Sequence, residues 1–494
     1  MLFVKTSLIL RGRWAVLSRA KNAEAGDGAA ADAAVTMSAE VADKIAENIT
    51  KSDPGAVQQC RQLGSFSVAA LVVSGHYGIG FLLGTAESSA TWGMAGSLYP
   101  VALAVGTILL LPVARIYWHD VAQLWTLLGQ RYGKFLQQLS SAMSWLSFAG
   151  VMAAQVAAGA AIVSALGLPS FWATVGLTVV LGGLSLLPFQ RLSWVVRGLL
   201  LVSLLALVSA LVQLDGVGDY VSAPVTFPKT LATSVPWGEA LGIFLTALIT
   251  VPIDMKAQQF VVQGRSPNSV SWGCLIAAVV VLALAFVPSA AVVAAQQSGI
   301  LPEDIAAREI IPFVLGWLGG GVDKPLGILL VGTLLMPALG AGSAVLRVQT
   351  QLTVESLPKA LVGEGTRQIV SREVIRVFNA GLALTLAFKG GSIIGLMVAF
   401  YAVYGAAVLW PFLAYISDRL TLTKFSPLAV QLSAGMSAAS AIAALVVTQL
   451  YPAIALGSSA ELTVLLLGTG FGLVALLAGQ GIAQWIPSTR QVRT

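Results

Sequence analysis

From Ser65 onward the chain reads as twelve apolar stretches joined by short polar connections. They fall at about 65–85, 97–116, 139–166, 171–188, 194–214, 237–257, 272–296, 325–350, 372–388, 392–416, 426–450 and 461–486. A run of about 20 mainly apolar residues is what a helix needs to cross the hydrocarbon layer of a bilayer. No water is present there to satisfy loose peptide groups, so each run is predicted as a helix that bonds its own backbone. Only 10% of the residues are charged and 57% are hydrophobic, where soluble domains carry about 25% charged residues. No single soluble core could bury so much apolar sequence. The expectation is an all-α polytopic membrane protein of about twelve transmembrane helices. The two cysteines, Cys60 and Cys274, have no metal-ligand spacing and form no disulfide framework.

The net charge of +6 is read as orientation, because lysine and arginine collect on the cytoplasmic side of membrane proteins; nucleic acid is not an expected partner. Counted along the predicted spans, 24 of the 28 lysines and arginines fall on one side, with Lys229, Arg308, Lys324 and Lys389 on the other. The reading is an integral multi-pass protein of the plasma (inner) membrane with both termini cytoplasmic. Residues 1–64 form a cytoplasmic tail, basic at first, then Ala/Gly-rich, then with Val41, Ile45 and Ile49 on one face of a short helix capped by Ser38. A targeting segment or an upstream start are the other readings of that stretch. Residues 65–486 form the membrane domain, and 487–494 a second tail.

Two of the runs carry breaks. In the first, Val73-Ser74-Gly75-His76-Tyr77-Gly78-Ile79-Gly80 puts three glycines and a histidine into apolar sequence, and each glycine weakens a helix by about 1 kcal/mol relative to alanine. In the sixth, Pro252 is followed by Asp254. Such breaks persist at membrane depth only where they line a protein cavity. Paired breaks at matching places in two halves of a chain point to a transporter's binding site. Spans one to five (65–214) and six to ten (237–416) then become two units that enter the membrane from opposite sides. That is an inverted five-plus-five repeat of the leucine-transporter type, with two extra C-terminal helices at 426–486.

Four motifs, in order and each at a matching span, resemble the sodium:solute symporter family. These are Thr126-Leu127-Leu128-Gly129-Gln130-Arg131-Tyr132-Gly133, the Gly182-Gly183 step, Asp254 followed by Gln258-Gln259-Phe260, and Tyr401-Ala402-Val403-Tyr404-Gly405 running on to Trp410-Pro411-Phe412-Leu413. The resemblance covers about residues 66–450. It implies a secondary active symporter that moves a small organic solute by alternating access, with a coupling ion and no other cofactor. A second copy of the chain is not required.

The resemblance also implies site residues. Ser74, His76, Tyr77, Pro252 and Asp254 are expected to contact the solute. A family sodium site would use the carbonyls of Ala70 and Val73 with hydroxyls on the eighth span. Those hydroxyl positions fall on Gly340 and Ala341, which have no side-chain oxygen; Ser343 and Thr333 are the nearest hydroxyls. The coupling ion is therefore sodium or a proton, and two further readings stay open: a sodium-independent relative, and a transporter-like sensor that binds without transporting. His76 either bonds the solute or satisfies a freed carbonyl, and Asp254 sits either in the site or in an ion pair near Lys256 and Arg265. Glu87 is read as a vestibule or surface residue. Without a Gly-x-x-x-x-Gly-Lys-Ser/Thr loop or a nucleophile–histidine–carboxylate set, no enzyme chemistry is expected.

Overall fold

The structure is a computed structural model that describes residues 63–120, 122–186, 189–356 and 366–485. The expectations for residues 1–62 and for the 487–494 tail lie outside the described residues. The described residues form nineteen α-helices, and the only sheet-like feature among them is one isolated bridge, Leu63 to Gly264.

The first predicted span is two helices. Helix α1 (Ser65–His76) stops at Tyr77, and α2 (Thr85–Trp92) resumes after a π-helical turn at Gly80–Gly84. Then follow α3 (Leu98–Asp120), the short α4 (Leu124–Tyr132) closed by Gly133 at φ 106°, α5 (Lys134–Ala165), α6 (Ser170–Leu184) and α7 (Phe189–Gln213). A left-handed turn at Asp215 (φ 56°) bends the chain by 97° into α8 (Val217–Ser234). The sequence reading left 215–236, which contains Pro224 and Pro228, as the connection between the fifth and sixth spans. Here both prolines sit inside the helix.

The sixth span divides at Asp254 into α9 (Trp237–Ile253) and α10 (Met255–Val262). The seventh and eighth spans were expected to be continuous, yet each has a step. The seventh is α11 (Pro267–Ala285) and α12 (Val287–Gln297), stepped at Phe286 before Pro288; the eighth is α14 (Pro325–Thr333) and α15 (Leu335–Ser356), stepped at Leu334 before Pro337. A proline cannot donate to the preceding turn and crowds it, which explains both steps. Between them, in the connection from the seventh to the eighth span, lies α13 (Ile310–Leu318). The chain ends with α16 (Thr366–Lys389), α17 (Ile393–Arg419), α18 (Pro427–Leu450) and α19 (Ala460–Trp485). Ser266, Ser392 and Ser426 cap α11, α17 and α18 by accepting a backbone N–H three residues on, as N-cap hydroxyls do.

Eight helical stretches among the described residues are long and apolar enough to cross a membrane on length and composition. The remaining predicted spans fold as helices in the expected places but fall short as single straight apolar rods. Helix α1 has only 12 residues before its break, α6 has 15, α7 bends into α8, and the first half of α16 is charged.

Packing sorts the helices into two groups. One joins α1, α3, α9 and α11; in the other, α5, α6, α15 and α16 all touch one another. Each group takes two spans from 65–214 and two from 237–416, the arrangement expected of two related five-helix units. Helix α17 bridges them by packing on both α5 and α9, and α18 and α19 pack on α17. Alanine, glycine and serine fill the buried length of α5, so its neighbours approach closely. Between helices in a bilayer such close packing replaces the hydrophobic drive of soluble cores.

Cross-links fix the alternation of the ends. At one end, Asp120 closes α3 and pairs with Arg419 of α17 at 2.5 Å, while Arg131 of α4 pairs with Asp418 at 2.5 Å. The Asp418 carboxylate holds the Arg131 guanidinium above its ordinary pKa. At the other end, Glu87 of α2 accepts the N–H of Ile393, the first residue of α17, at 2.7 Å.

Candidate functional site

The first break is a change of hydrogen-bond partner. Tyr77 N–H donates to the Val73 carbonyl at 2.7 Å, the last regular bond of α1, and Gly78 N–H turns to the His76 carbonyl at 2.8 Å instead of that of Ser74. Ser74 Oγ donates to its own helix at Leu71.

His76 faces α3, where its Nε2 lies 3.2 Å from Thr107 Oγ1. That hydroxyl also donates to the Leu103 carbonyl at 2.8 Å. A hydroxyl has one proton, and a carbonyl can only accept. Thr107 therefore accepts from His76, and Nε2 carries the imidazole proton. The bonding scheme assigns this tautomer. Tyr77 is 3% exposed, packs its ring 5.0 Å from that of Phe81, and its hydroxyl has no hydrogen-bond partner among the described residues.

The second break is arranged differently. Asp254 has extended backbone (φ −66°, ψ 127°) and ends α9 after the buried Pro252. The carbonyls loosened there are taken by two buried tyrosines. Tyr117 OH of α3 donates to the Pro252 carbonyl at 2.8 Å, and Tyr404 OH of α17 donates to the Ile253 carbonyl at 2.8 Å. The sequence reading had offered the Pro252 break as loose carbonyls for solute; in this structure tyrosines occupy them. Asp254 itself is half-buried.

Both breaks lie against the same stretch of α3. A Cβ on Gly106 would stand 2.9 Å from Val251 Cβ and 3.2 Å from the Ala247 carbonyl, so α9 comes close there. The next residue, Thr107, holds His76. Below the first break, a Cβ on Gly75 would meet the Phe260 ring of α10 at 2.6 Å. The N-terminus of α1 is also tied to the turn after α10, with Leu63 N–H donating to Gln263 O and Arg265 N–H donating to Leu63 O. Helix α1 is thus fastened to α10 and α11, while its Phe66, Ser67 and Ala70 are exposed.

The proposed sodium ligands stand on elements with separate partners. Helix α1, with Ala70 and Val73, packs on α10 and α11; α15, with Gly340, Ala341 and Ser343, packs on α5, α6, α7, α14 and α16. Ser343 Oγ is buried and donates to the Gly340 carbonyl at 3.3 Å, and Thr333 Oγ1 donates to Leu330 at 2.6 Å. Both hydroxyls therefore serve their own helices. Thr107 and Tyr117 were not foreseen as parts of this centre, and Tyr404 entered only as a letter of a motif. Hydroxyl-bearing aromatics inside apolar runs were the available signal for the two tyrosines.

No family model matches the chain, and no curated protein matches it. Solved structures do. One is a substrate-bound, outward-open state of a Na+-coupled sialic acid symporter, with 13% identity, 87% of this chain and 91% of that chain covered, and a TM-score of 0.60. Another is Mhp1, a nucleobase-cation-symport-1 family transporter, closed with bromovinylhydantoin bound, with 15% identity, 88% and 95% covered, and a TM-score of 0.52. At such identities the likeness shows the fold. The class it defines, together with the helices above, is a polytopic helical membrane protein of the leucine-transporter fold.

Proposed function

We propose that this chain is an ion-coupled secondary transporter of the sodium:solute symporter type that moves a small organic solute by alternating access. One observation carries the reading: two membrane helices break against the same turn of α3, at Gly106–Thr107, one beside Val251 and the other at His76. Backbone interrupted at this depth is tolerated where it lines a site. The two solved structures of the same fold are symporters that bind small organic molecules, which favours the same class of cargo here.

The first break offers the solute a hydroxyl and an imidazole. Tyr77 OH is buried with an unused hydrogen bond, and a buried polar group left unpaired costs about 1–3 kcal/mol. A solute oxygen or nitrogen that reaches Tyr77 relieves that cost. His76, fixed by Thr107, is the polar neighbour. In the second break the tyrosines hold the loosened carbonyls, so the first break supplies the polar contacts.

The end of the molecule with Arg131 and Arg419 is taken as cytoplasmic and the end with Glu87 as outer, from the lysine and arginine bias. We take the membrane to be the plasma membrane, with both termini inside. On this assignment the exposed flank of α1 is on the inner side. The outer half of the same span is enclosed by α12, α8, the turn at Ala307–Glu309 and α13.

A second reading, transport without sodium, is favoured by Gly340 and Ala341, since hard cations need oxygen ligands. Uptake of candidate sugars, amino acids and nucleobases into proteoliposomes tests both readings. Accumulation above equilibrium supports the transporter; no accumulation of any bound solute refutes it. If choline in place of sodium leaves uptake unchanged, the second reading stands.

A further inference from the structure

We propose that Glu87 is the latch of the outer gate and that protonation of its carboxylate releases it. The proposal rests on the alternating-access reading above. Glu87 sits at the outer end of the first span, and its side chain is only 13% exposed. Its two oxygens face two different elements. Oε2 accepts the N–H of Ile393 at 2.7 Å, at the N-terminus of α17, and Oε1 lies 3.9 Å from Arg308 Nε in the turn Ala307–Glu309. One carboxylate therefore ties α2 both to the helix that bridges the two helix groups and to the outer loop.

The packing beneath it is tight. A Cβ on Gly84 would meet Ile394 at 2.7 Å, and one on Gly80 would meet Met397 at 2.5 Å. Gln296 of α12 donates to the Ala90 carbonyl at 3.1 Å. The outer half of the span cannot part from α17 while Glu87 holds Ile393. The inner half has no such tie on its exposed flank.

The groups around Glu87 give the effect of a proton its sign. Arg308 is the cation that faces it, with Glu309 one residue further along the same turn. Helices α12 and α13 have no titratable side chain, α8 has Asp219, Tyr220 and Lys229, and the charged residues of α3 all lie at its far end. Ile393 adds the partial positive charge of a helix N-terminus, which favours an anion. A proton from outer water on Glu87 removes the negative charge that both partners hold. The latch weakens, and the outward-open state gains population.

The test uses the full chain carrying Cys60→Ser and Ser67→Cys, in inside-out membrane vesicles. A membrane-impermeant maleimide in the bath labels Ser67→Cys on the exposed flank of α1, while Cys274 is buried. The bath pH is held constant and only the lumen, which contacts the outer face, is changed. Lowering the lumen from about pH 7.5 to about pH 4.5, near the ordinary range of a glutamate, should slow labelling roughly threefold or more, and Glu87→Gln should slow it as much at the higher pH and abolish the pH response. Arg308→Gln should give part of the same slowing. Labelling unaffected by Glu87→Gln, or a lumen-pH response that survives in it, overturns the latch. If instead none of the candidate sugars, amino acids and nucleobases alters labelling of the protein that keeps Glu87, the transporter reading itself is what fails.

Discussion

Tyr117 and Tyr404 do for the second break what ordered water does in soluble proteins: each gives a loosened carbonyl its partner. Removing one hydroxyl strands a buried carbonyl. Tyr117→Phe and Tyr404→Phe are each expected to destabilise the fold by about 1–3 kcal/mol, seen as a lower unfolding midpoint of the purified protein in detergent. An unchanged midpoint in both would mean that the two carbonyls are satisfied some other way. The first break was legible at this scale, since glycines and a histidine stand out inside an apolar run. The tyrosine–carbonyl pairs were not, because the partners lie 135 and 151 residues apart and nothing in a single sequence says which helices touch. The role of Glu87 was hidden for the same reason. An acid at the rim of a predicted span looks solvated until Ile393, 306 residues on, is brought beside it.

Among the elements, α3 is the common wall of both breaks, and Gly106 is where α9 comes nearest. Gly106→Ala places a methyl 2.9 Å from Val251 Cβ, and overpacking of this kind costs about 1–3 kcal/mol. The expected result is a lower unfolding midpoint that Val251→Ala partly restores in the double variant; additive losses would show that the two helices do not meet there. The clamp between α4 and α17 behaves otherwise. Arg131 is 40% exposed on its side chain, so Arg131→Gln should change stability by no more than about 1 kcal/mol, and a large loss would place that pair in a drier setting than the structure gives it. Element legibility followed the apolar runs. Helices α5, α17 and α18 fell where hydropathy put them, but α8 did not. It lies between two of the apolar runs, and it is seated by Tyr220 OH on the Ala283 carbonyl at 2.9 Å, a contact from a distant part of the chain.

For the molecule as a whole, the apolar runs placed the spans, and the lysine and arginine count set their expected orientation. The symmetry of the halves could not be read from residue identity, because it lives in packing: two helices from each half in each group. The same packing keeps Ala70 and Val73 on α1 apart in their neighbours from Gly340, Ala341 and Ser343 on α15. On the second reading, with neither Gly340 nor Ala341 able to offer a side-chain oxygen, replacing sodium by choline in proteoliposome uptake should leave the initial rate within about twofold, well inside the range of a modest coupling energy. A tenfold or greater loss would locate a sodium site elsewhere in the bundle.

The central claim is that the broken segment around His76 and Tyr77 holds cargo. Equilibrium titration measures this most directly, using the solute that gives the largest thermal shift in a screen, against the unaltered protein and against Tyr77→Phe. Because the Tyr77 hydroxyl is buried without a partner, its removal should leave the unfolding midpoint of the solute-free protein unchanged or slightly higher. It should also weaken solute binding by about tenfold, the equivalent of about 1.4 kcal/mol. Equal affinity in the two proteins would contradict the account.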